Sequence, residues 1–467
     1  MKTLKKDRVP TKKLLAYSSI NVGSAVFESP MPMIIIAFYA QYTEAALASI
    51  GTILLLSKIF DVISDPLTGY LSDLTKTRIG KRKPWIIAGG ILGIPVLYLL
   101  FSPPGDAGGM YFFLAINAYY LVRTLIFVPQ IAWGTELSRD YKERTRIASY
   151  NNIVMLSSQA LLMIMPIIVS SPILPLFDSP EFSPQMMSFI GKVAMIALPI
   201  FILIAVIYAP VGKVITVKKE KTASLKEIVK AFRTNKPMLF FIAADLISLI
   251  GLSVFMGVAF IAMDSYLHIG DKLPVFIVTV TIVQVISIPA WEKIIERFGK
   301  HKVFAVSLII QAIIYPFIFL LDPGQDVFYP FLIIGAIASL FQTPGPIAAA
   351  AILGDVIDYD ILKGGVNRAG TYLSIYSLIM KGGAAIGASL GLFLLAAFNY
   401  DAKGGVNTSE AEFGLMFTMT IVPLIFLIMS GIMFWFFPLT AKRHAIIQER
   451  IETRAERAGV TDENQES

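Results

Sequence analysis

Charged side chains lie close together in the stretch KIFDVISDPLTGYLSD (58–73), whose other residues are largely apolar. Lys58, Asp61 and Asp65 stand at positions i, i+3 and i+7, so a helix would carry all three on one face. Two carboxylates one turn apart repel each other unless a cation or a proton lies between them. The spacing indicates either a cation-coupling site or a structural salt bridge from Lys58 to one aspartate.

The elements that position these residues are predicted to be membrane-spanning helices. The chain has 467 residues, of which 55% are hydrophobic and only 16% are charged, and its mean hydropathy is +0.69. A soluble protein needs more polar surface than this composition provides. Segments of about 20 apolar residues, the length needed to cross a bilayer, recur along the chain. The twelve predicted spans are 14–42, 45–73, 84–102, 109–138, 146–172, 187–212, 237–265, 273–291, 303–321, 327–357, 370–398 and 412–438.

The distribution of basic residues predicts how the chain is oriented. Only Lys272 and Lys403 fall in the connections after odd-numbered spans, whereas the other connections and both tails are rich in Lys and Arg. Basic residues remain in the cytoplasm, so both termini are predicted to be cytoplasmic, in a multi-pass protein of a cell membrane. The same asymmetry accounts for the pI of about 9.2 without a nucleic-acid partner.

Several classes of chemistry are absent from the sequence. The chain contains no cysteine, which excludes disulfides, thiolate metal sites and cysteine nucleophiles. No phosphate-binding loop, nucleophile elbow or zinc motif is present. We therefore expect neither an enzyme nor a cofactor, and no metal beyond a possible Na⁺ at Asp61 and Asp65. The protein is predicted to act as a monomer in the bilayer.

The chain divides into two similar halves. RIGKRK (78–83) resembles RFGKHK (297–302), and RIASY (146–150) resembles RAGTY (368–372), with offsets of 219 and 222 residues. Such an internal repeat predicts an all-α integral membrane protein with two pseudo-symmetric six-helix bundles, the plan of the major facilitator superfamily. The predicted domains are the bundles 1–211 and 237–440, a cytoplasmic loop 212–236 and a cytoplasmic tail 441–467.

Four further charged residues are predicted to lie deep in the membrane. Glu28, Arg123 and Lys381 fall near the middle of spans 1, 4 and 11, and Asp245 lies in span 7 nearer to the cytoplasm. A charge at such a depth costs about 2.5–3.5 kcal/mol on insertion scales, so we expect these side chains to face an interior cavity.

A family resemblance is carried by several motifs. KIFDVISDPLTGYLSDLTKTRIGKRKPW (58–85) resembles the span 2 signature of the glycoside-pentoside-hexuronide:cation symporters, the group that contains the melibiose permease. VPQIAWGTELSRDYKERTRI, GDVIDYDILKGGVNRAGTY and KGGAAIGA resemble that family in the same order. The resemblance implies a transporter of a bacterial inner membrane that imports a sugar, glycoside or sugar acid with Na⁺ or H⁺.

The resemblance also implies roles for individual residues. Asp61 and Asp65 match the family's cation-binding carboxylates, with Ser64 and Thr124 placed to supply further oxygen ligands. Lys381 matches a span 11 lysine that lies close to both the cation and the substrate.

The sugar-binding positions of the melibiose-permease branch are not kept in this chain. Its two aspartates, its tryptophan and its arginine fall on Ala25, Phe127, Ile131 and Asn152. Recognition of galactosides is therefore not implied, although Asn152 stays a candidate for substrate binding.

Two charged residues are candidates to replace the lost sugar-binding groups. Glu28 lies three residues after Ala25 and restores an acid to span 1. Arg123, with Lys58 and Lys381, gives the cavity positive charge that suits a uronate. Alternatively, Arg123 pairs with Glu28 or an aspartate and only closes the helix bundle.

Charged residues at the cytoplasmic corners are predicted to form gating salt bridges that break when the inside opens. The candidates are Asp73, Arg78, Arg144, Asp355, Asp358 and Arg368. For the basic run 78–83, membrane orientation and solvation are an equally good explanation.

Two other functions remain open at this point. A carrier of lysolipids can have the same fold, and the many apolar residues of the spans are compatible with such a cargo. A sensor with a transporter fold would usually lack the coupling carboxylates, both of which are present here.

Overall fold

The computed structural model is helical throughout the part of the chain that it describes. The described residues are 8–28, 31–138, 141–211, 235–323, 326–364, 369–403, 405–439, 443, 446, 447, 449, 450 and 453. Most of the predicted cytoplasmic loop 212–236 and of the predicted tail 441–467 lies outside these ranges.

The first half of the chain forms the helices that carry most of the predicted charged residues. Its helices are α1 (Thr11–Ser18), α2 (Ile20–Gly23), α3 (Met31–Tyr42), α4 (Leu47–Leu74), α5 (Lys83–Phe101), α6 (Gly109–Glu136), α7 (Tyr141–Val169) and α8 (Pro184–Tyr208).

The second half follows the same plan with more interruptions. Its α-helices are α9 (Lys236–Ile261), α10 (Leu273–Phe298), α11 (Lys300–Ile314), α12 (Phe328–Gln342), α13 (Pro344–Gly364), α14 (Ala369–Ala397) and α15 (Ser409–Trp435). A π-helix (Ala262–Tyr266) extends α9, and 3₁₀ turns precede α10 and follow α11.

Eleven of the described helical segments are long and apolar enough to cross a membrane. The prediction of one continuous helix over 14–42 is wrong, because α1, α2, a 3₁₀ turn (Ala25–Phe27) and α3 follow one another there. Glu28 ends the 3₁₀ turn in an extended conformation. The sequence SPMP (29–32) explains the interruption, since proline has no N–H to donate to a helix.

Contacts between Cα atoms divide the chain into two compact units. The first unit comprises residues 1–218, 256–278 and 389–415, and the second comprises 219–255, 279–388 and 416–467. The first unit thus includes the C-terminal ends of α9 and α14 and the N-terminal ends of α10 and α15. The bundle boundaries predicted from the sequence stay predictions.

Small residues allow close helix packing in the first unit. Helix α5 packs against α6 and α8, and α4 packs against α6. A Cβ on Gly89 would collide with Ile126 of α6, and a Cβ on Gly93 would collide with Leu198 of α8. Such close approach is the usual source of helix association in membranes, where no hydrophobic effect drives helices together.

In the second unit, glycines of α14 allow this helix to pack closely against α9. A Cβ on Gly383 would overlap Leu246, and a Cβ on Gly387 would overlap the backbone at Ile250. Gly382, the other glycine of the KGGAAIGA motif, has nothing within 4 Å of an added Cβ. Close packing in this motif therefore depends on Gly383 and Gly387.

The internal repeat is visible in the backbone. Gly80 of RIGKRK has φ 102° and Gly299 of RFGKHK has φ 88°, both in the left-handed region that favours glycine. The same unusual conformation at the same motif position, 219 residues apart, supports a duplicated origin for the two halves.

Candidate cation and solute site

Asp61 lies on α4 and is completely buried. Its Oδ2 is 3.3 Å from Lys58 Nζ, the pair predicted from the i, i+3 spacing. The Lys58 ammonium group also lies 4.3 Å from the centre of the Tyr120 ring on α6. Asp61 Oδ1 is buried and has no hydrogen-bond partner among the residues that the structure describes. Since a buried carboxylate oxygen is costly to leave unsatisfied, this atom is an open position for a cation or a proton.

The other predicted cation ligands lie beside Asp61 along the contact between α4 and α6. Thr124 Oγ1 donates a hydrogen bond of 2.8 Å to Asp65 Oδ1. Ser64 Oγ is 3.5 Å from Thr124 Oγ1 and donates to the backbone oxygen of Asp61 at 3.2 Å. Helices α4 and α6 thus bring two carboxylates and two hydroxyl groups together within the membrane-spanning region.

The donor set suits a hard monovalent cation. Carboxylate and hydroxyl oxygens are the ligands that hard cations prefer, and nitrogen or sulfur ligands are not part of this cluster. Protonation of one carboxylate would also relieve the repulsion. In the described ranges, no group of three or more His, Cys, Asp or Glu residues is arranged to hold a metal ion. Cation binding at these residues stays a prediction.

Glu28 and Arg123 form an ion pair of 3.2 Å between the broken first span and α6. Arg123 Nε donates to Phe27 O at 3.3 Å, an oxygen in the short 3₁₀ turn just before Glu28. The guanidinium group also lies 5.2 Å from the centre of the Phe127 ring. In this conformation Arg123 therefore ties α6 to the first span, as the structural alternative predicted.

A polar network between α2, α6 and α7 was not predicted. Asn21 Nδ2 donates to Asn151 Oδ1 at 2.8 Å, and Gln130 Nε2 donates to Asn21 Oδ1 at 3.0 Å and to Asn151 Oδ1 at 3.2 Å. Asn152, the predicted substrate residue, is exposed, and its side chain makes no hydrogen bond to another described residue. The sequence signal that could have indicated this network is the presence of an amide side chain in each of three separate apolar segments, namely Asn21, Gln130 and Asn151.

Lys381 lies half-buried in α14. It belongs to the second unit, whereas Asp61 and Asp65 belong to the first. The implied closeness of Lys381 to the cation site stays a prediction.

On the side that the sequence predicts to be cytoplasmic, Arg82 is the centre of an ion-pair cluster. Its guanidinium group pairs with Asp73 and lies 2.8 Å from Glu136 Oε1, and it also donates to Ser72 Oγ at 2.6 Å. Arg78, which was predicted to take this role, is exposed. Asp73, Arg82 and Glu136 all lie in the first half, so in this conformation the cluster joins helices within one half.

The second half has a corresponding pair. Lys300 Nζ lies 2.6 and 2.8 Å from the two carboxylate oxygens of Asp355. Asp358 is half-buried on the same helix, α13. Arg368 and the side chain of Arg144 lie outside the described residues. Gating by any of these groups stays a prediction.

A set of contacts at the opposite ends of the helices was not foreseen from the sequence. Tyr42 donates a hydrogen bond of 2.8 Å to Glu181, and Lys403 lies 3.1 Å from Glu44. All four residues belong to the first unit. They join the corner between α3 and α4 to the connections before α8 and before α15.

Residues 16–441 match the family model described as MFS/sugar transport protein. The chain belongs to this family. The resemblance to cation-coupled sugar symporters is thereby confirmed, and because members of the family are transporters, the protein is not an enzyme.

Curated relatives span nearly the same length. A putative glycoside/cation symporter of Escherichia coli (strain K12) is 23% identical over 425 residues, which cover 90% of both chains. A glucuronide carrier protein homolog from the same organism is 24% identical over 449 residues, covering 94% of this chain and 95% of that protein. The prediction of a multi-pass membrane protein agrees with these relatives and with the eleven apolar helices.

Solved structures confirm the major facilitator fold. The nucleoside transporter NupG superposes with a TM-score of 0.59 at 13% identity, over 91% of this chain and 97% of that one. A bacterial homolog of the human lysosomal transporter Spinster, in an inward-facing and unoccupied conformation, gives a TM-score of 0.62 at 13% identity, over 94% and 96% of the two chains. At these identities the likeness concerns the fold alone.

Proposed function

We propose that the protein is a secondary transporter that imports a sugar or glycoside together with Na⁺ or H⁺ by alternating access. The observation that carries this proposal is the oxygen cluster of Asp61, Asp65, Ser64 and Thr124, with one carboxylate oxygen of Asp61 left open. An enclosed acidic site in a transporter fold is the arrangement that couples an ion to a solute. We further propose that it works as a monomer with both termini in the cytoplasm of a bacterial cell.

The carboxylates beside α6 support a cation site. Asp61 pairs with Lys58 through Oδ2, and its Oδ1 is left open among the described residues. Asp65 brings a second carboxylate one helical turn away. A Na⁺ or a proton bound beside them reduces the repulsion between the two carboxylates, which lowers the cost of moving the loaded site relative to the empty one.

In the proposed cycle, the cation binds first at Asp61 Oδ1 and the oxygens around Asp65. It then competes with Lys58 for the Asp61 carboxylate, so the ammonium group becomes available to donate to a hydroxyl of the solute. The outer contacts of Tyr42 with Glu181 and of Glu44 with Lys403 must open for loading from outside. Coupling follows because the cation-free site keeps its unneutralised charge and reorients differently.

A sugar acid is the second candidate for the solute. One relative is named a glucuronide carrier protein homolog, and Lys58 and Arg123 offer positive charge. However, both of these residues already have acidic partners in the first unit. A uronate would have to displace Glu28 or Asp61, so we place a neutral sugar or glycoside first.

The proposal can be tested by uptake into proteoliposomes that contain the purified protein. Methyl β-D-galactoside, methyl β-D-glucoside, methyl β-D-xyloside, glucuronic acid and a lysophospholipid serve as labelled probes, with Na⁺ and H⁺ gradients imposed separately. We expect gradient-driven accumulation of at least one sugar probe and its loss in Asp61→Asn, where the open carboxylate oxygen becomes an amide. Asp106→Asn removes an exposed loop carboxylate and is the matched control.

Three outcomes would contradict parts of this proposal. Unchanged accumulation by Asp61→Asn at all Na⁺ concentrations and pH values would refute the coupling site. Movement of the lysophospholipid but of no sugar would identify a lipid carrier. Uptake of glucuronic acid in preference to the neutral glycosides would show that the solute is a sugar acid and not a neutral sugar or glycoside.

A further inference from the structure

A buried carboxyl group in the second unit has no part in the cation site. Asp245 lies on α9, within a segment that is long and apolar enough to span the membrane, and only 8% of its surface is exposed. The hydroxyl group of Tyr376, on α14, donates a hydrogen bond of 2.5 Å to Asp245 Oδ2. Acids inside membrane spans are rare and mark functional sites by default.

The groups nearest to Asp245 carry no positive charge that pairs with it. The Ser248 hydroxyl donates to the backbone oxygen of Asp245 at 2.8 Å. On α14, Lys381 stands five residues after Tyr376, and no ion pair joins it to Asp245 in the described part of the chain. An ionised Asp245 would thus lack the partner that a buried charge ordinarily requires.

The cations beside α9 lie at its N-terminal end, where Arg443 and Arg450 line a cavity with Phe240, and no ion pair of the described residues joins them to Asp245. Helix α15 approaches through Ser430, which donates to the backbone oxygen of Ala244 at 2.7 Å. Helix α13 approaches where Asn235 donates to Val356 O, and the neighbouring Asp355 pairs with Lys300. Among the described neighbours, Tyr376 is therefore the one titratable group bonded to Asp245.

The geometry suits a carboxyl group that changes its protonation state. Stacking of Phe241 on the Tyr376 ring, with centroids 5.5 Å apart, holds the phenol in place. Ser248 is the other hydroxyl group within hydrogen-bonding reach of the Asp245 carboxyl group. When the group is ionised, the 2.5 Å contact is a charge-assisted hydrogen bond. When a proton is added to Oδ1, Oδ2 still accepts the same bond, so no rearrangement of Tyr376 is needed.

We propose that Asp245 is a second ion site, which binds one proton and releases it during the transport cycle, separately from the cation at Asp61 and Asp65. This inference rests on the proposed function as a transporter. A hydronium ion donates the proton, so one of its O–H bonds breaks as an O–H bond forms on the Asp245 carboxylate, and on release a water molecule takes the proton back. Tyr376 is a positioning residue that holds the carboxyl group in both states.

Infrared difference spectroscopy of the purified protein in lipid nanodiscs tests this site without any solute. Spectra recorded at a series of pH values, roughly pH 5 to 9, report the C=O stretch of protonated carboxyl groups. We expect Asp245→Asn to lose one pH-dependent band that wild type and the exposed control Asp106→Asn both keep. Tyr376→Phe should keep the band with a midpoint at higher pH, because the hydrogen bond that stabilises the ionised form is gone.

The link to transport is tested with the probe that wild type accumulates. With the Na⁺ gradient held constant, wild-type uptake should vary with pH over the range in which the band titrates, and Asp245→Asn should lose this part of the pH profile. Asp245→Glu, which keeps a carboxyl group, should restore it.

Two results would overturn the proton site. One is a pH-dependent band that persists unchanged in Asp245→Asn, and the other is a wild-type pH profile of uptake that survives in this variant. If Asp245→Asn fails to fold, a Tyr376→Phe midpoint equal to that of wild type overturns the proposal instead. Failure of the transport function is distinguishable, because wild type would then accumulate no probe while its Asp245 band remained.

Discussion

The contact between α4 and α6 in the first half has a counterpart between α10 and the end of α12 in the second half, and the two contacts differ in charge. The offset of 219 residues relates Asp65 to Gln284 and Thr124 to Thr343. In the first half Thr124 donates to Asp65 at 2.8 Å. In the second half Gln284 donates at 3.0 Å to Gln342, the counterpart of Arg123, so an amide stands where the first half has the Asp65 carboxylate.

The remaining positions show the same contrast. Lys58 and Asp61 correspond to Ile277 and Val280. Thr343 is hydrogen-bonded to Ser287 at 3.2 Å, so a polar link between the helices is retained without any ionisable group. Neutral cross-helix hydrogen bonds are thus sufficient for packing in the second half, and the extra charges of the first half point to a purpose other than packing.

The largest effect is expected when Asp65 is replaced by glutamine, the residue at the matching position of the second half, Gln284. Asp65→Gln removes a carboxylate from the proposed cation site and should weaken activation of uptake by the cation by at least about 100-fold, beyond the range typical of residues behind a site. Initial rates of uptake, measured against cation concentration, give this value. Gln284→Asn, a change of similar kind at the corresponding position, should leave the cation dependence as it is, and an equal effect of both changes would remove the distinction between the halves.

A smaller effect is expected from the matched pair Thr124→Val and Thr343→Val. The hydroxyl of Thr124 bonds to a carboxylate, and loss of such a bond costs about 1.5–3 kcal/mol, or roughly 10- to 100-fold in cation affinity. Thr343 bonds to neutral groups, so its replacement should change thermal stability and not cation activation. Cation titrations and melting curves of the two variants test this prediction. A wild-type cation affinity in Thr124→Val would contradict it.

The smallest effects are expected at the repeated glycines. A non-glycine residue in the left-handed region costs about 1–2 kcal/mol. Gly80→Ala should lower the melting temperature more than Gly299→Ala, because a Cβ on Gly80 would lie 2.9 Å from Val211 whereas one on Gly299 has no neighbour closer than 4.0 Å. Thermal unfolding monitored by tryptophan fluorescence tests the order, and equal melting temperatures would show that Val211 moves aside without cost.

Hydropathy and local spacing predicted much of this molecule. The long apolar segments appear as helices because a bilayer leaves the backbone no other hydrogen-bond partners. The pairing of Lys58 with Asp61 follows from positions on one helix face. The break in the first span was missed because its residues are as apolar as those of a continuous helix, and only the prolines at 30 and 32 signal it.

Contacts between distant parts of the sequence were the least predictable. Asp65 and Thr124 were brought together by the family resemblance, since no local pattern joins residues 59 positions apart. The Asn21 network and the bond from Tyr376 to Asp245 have no such precedent in the motifs. Each is a long-range pair of common residue types, and its formation depends on how the helices rotate and pack.

The interrupted first span supplies the acceptors that hold an arginine inside the membrane. After α2 the backbone passes through a 3₁₀ turn, and Glu28 is extended. The carbonyl oxygen of Phe27 accepts from Arg123 Nε, and the Glu28 carboxylate accepts from the same guanidinium group. In an unbroken α-helix that carbonyl would be occupied by an N–H group four residues later, so the break is what lends its backbone to a buried cation.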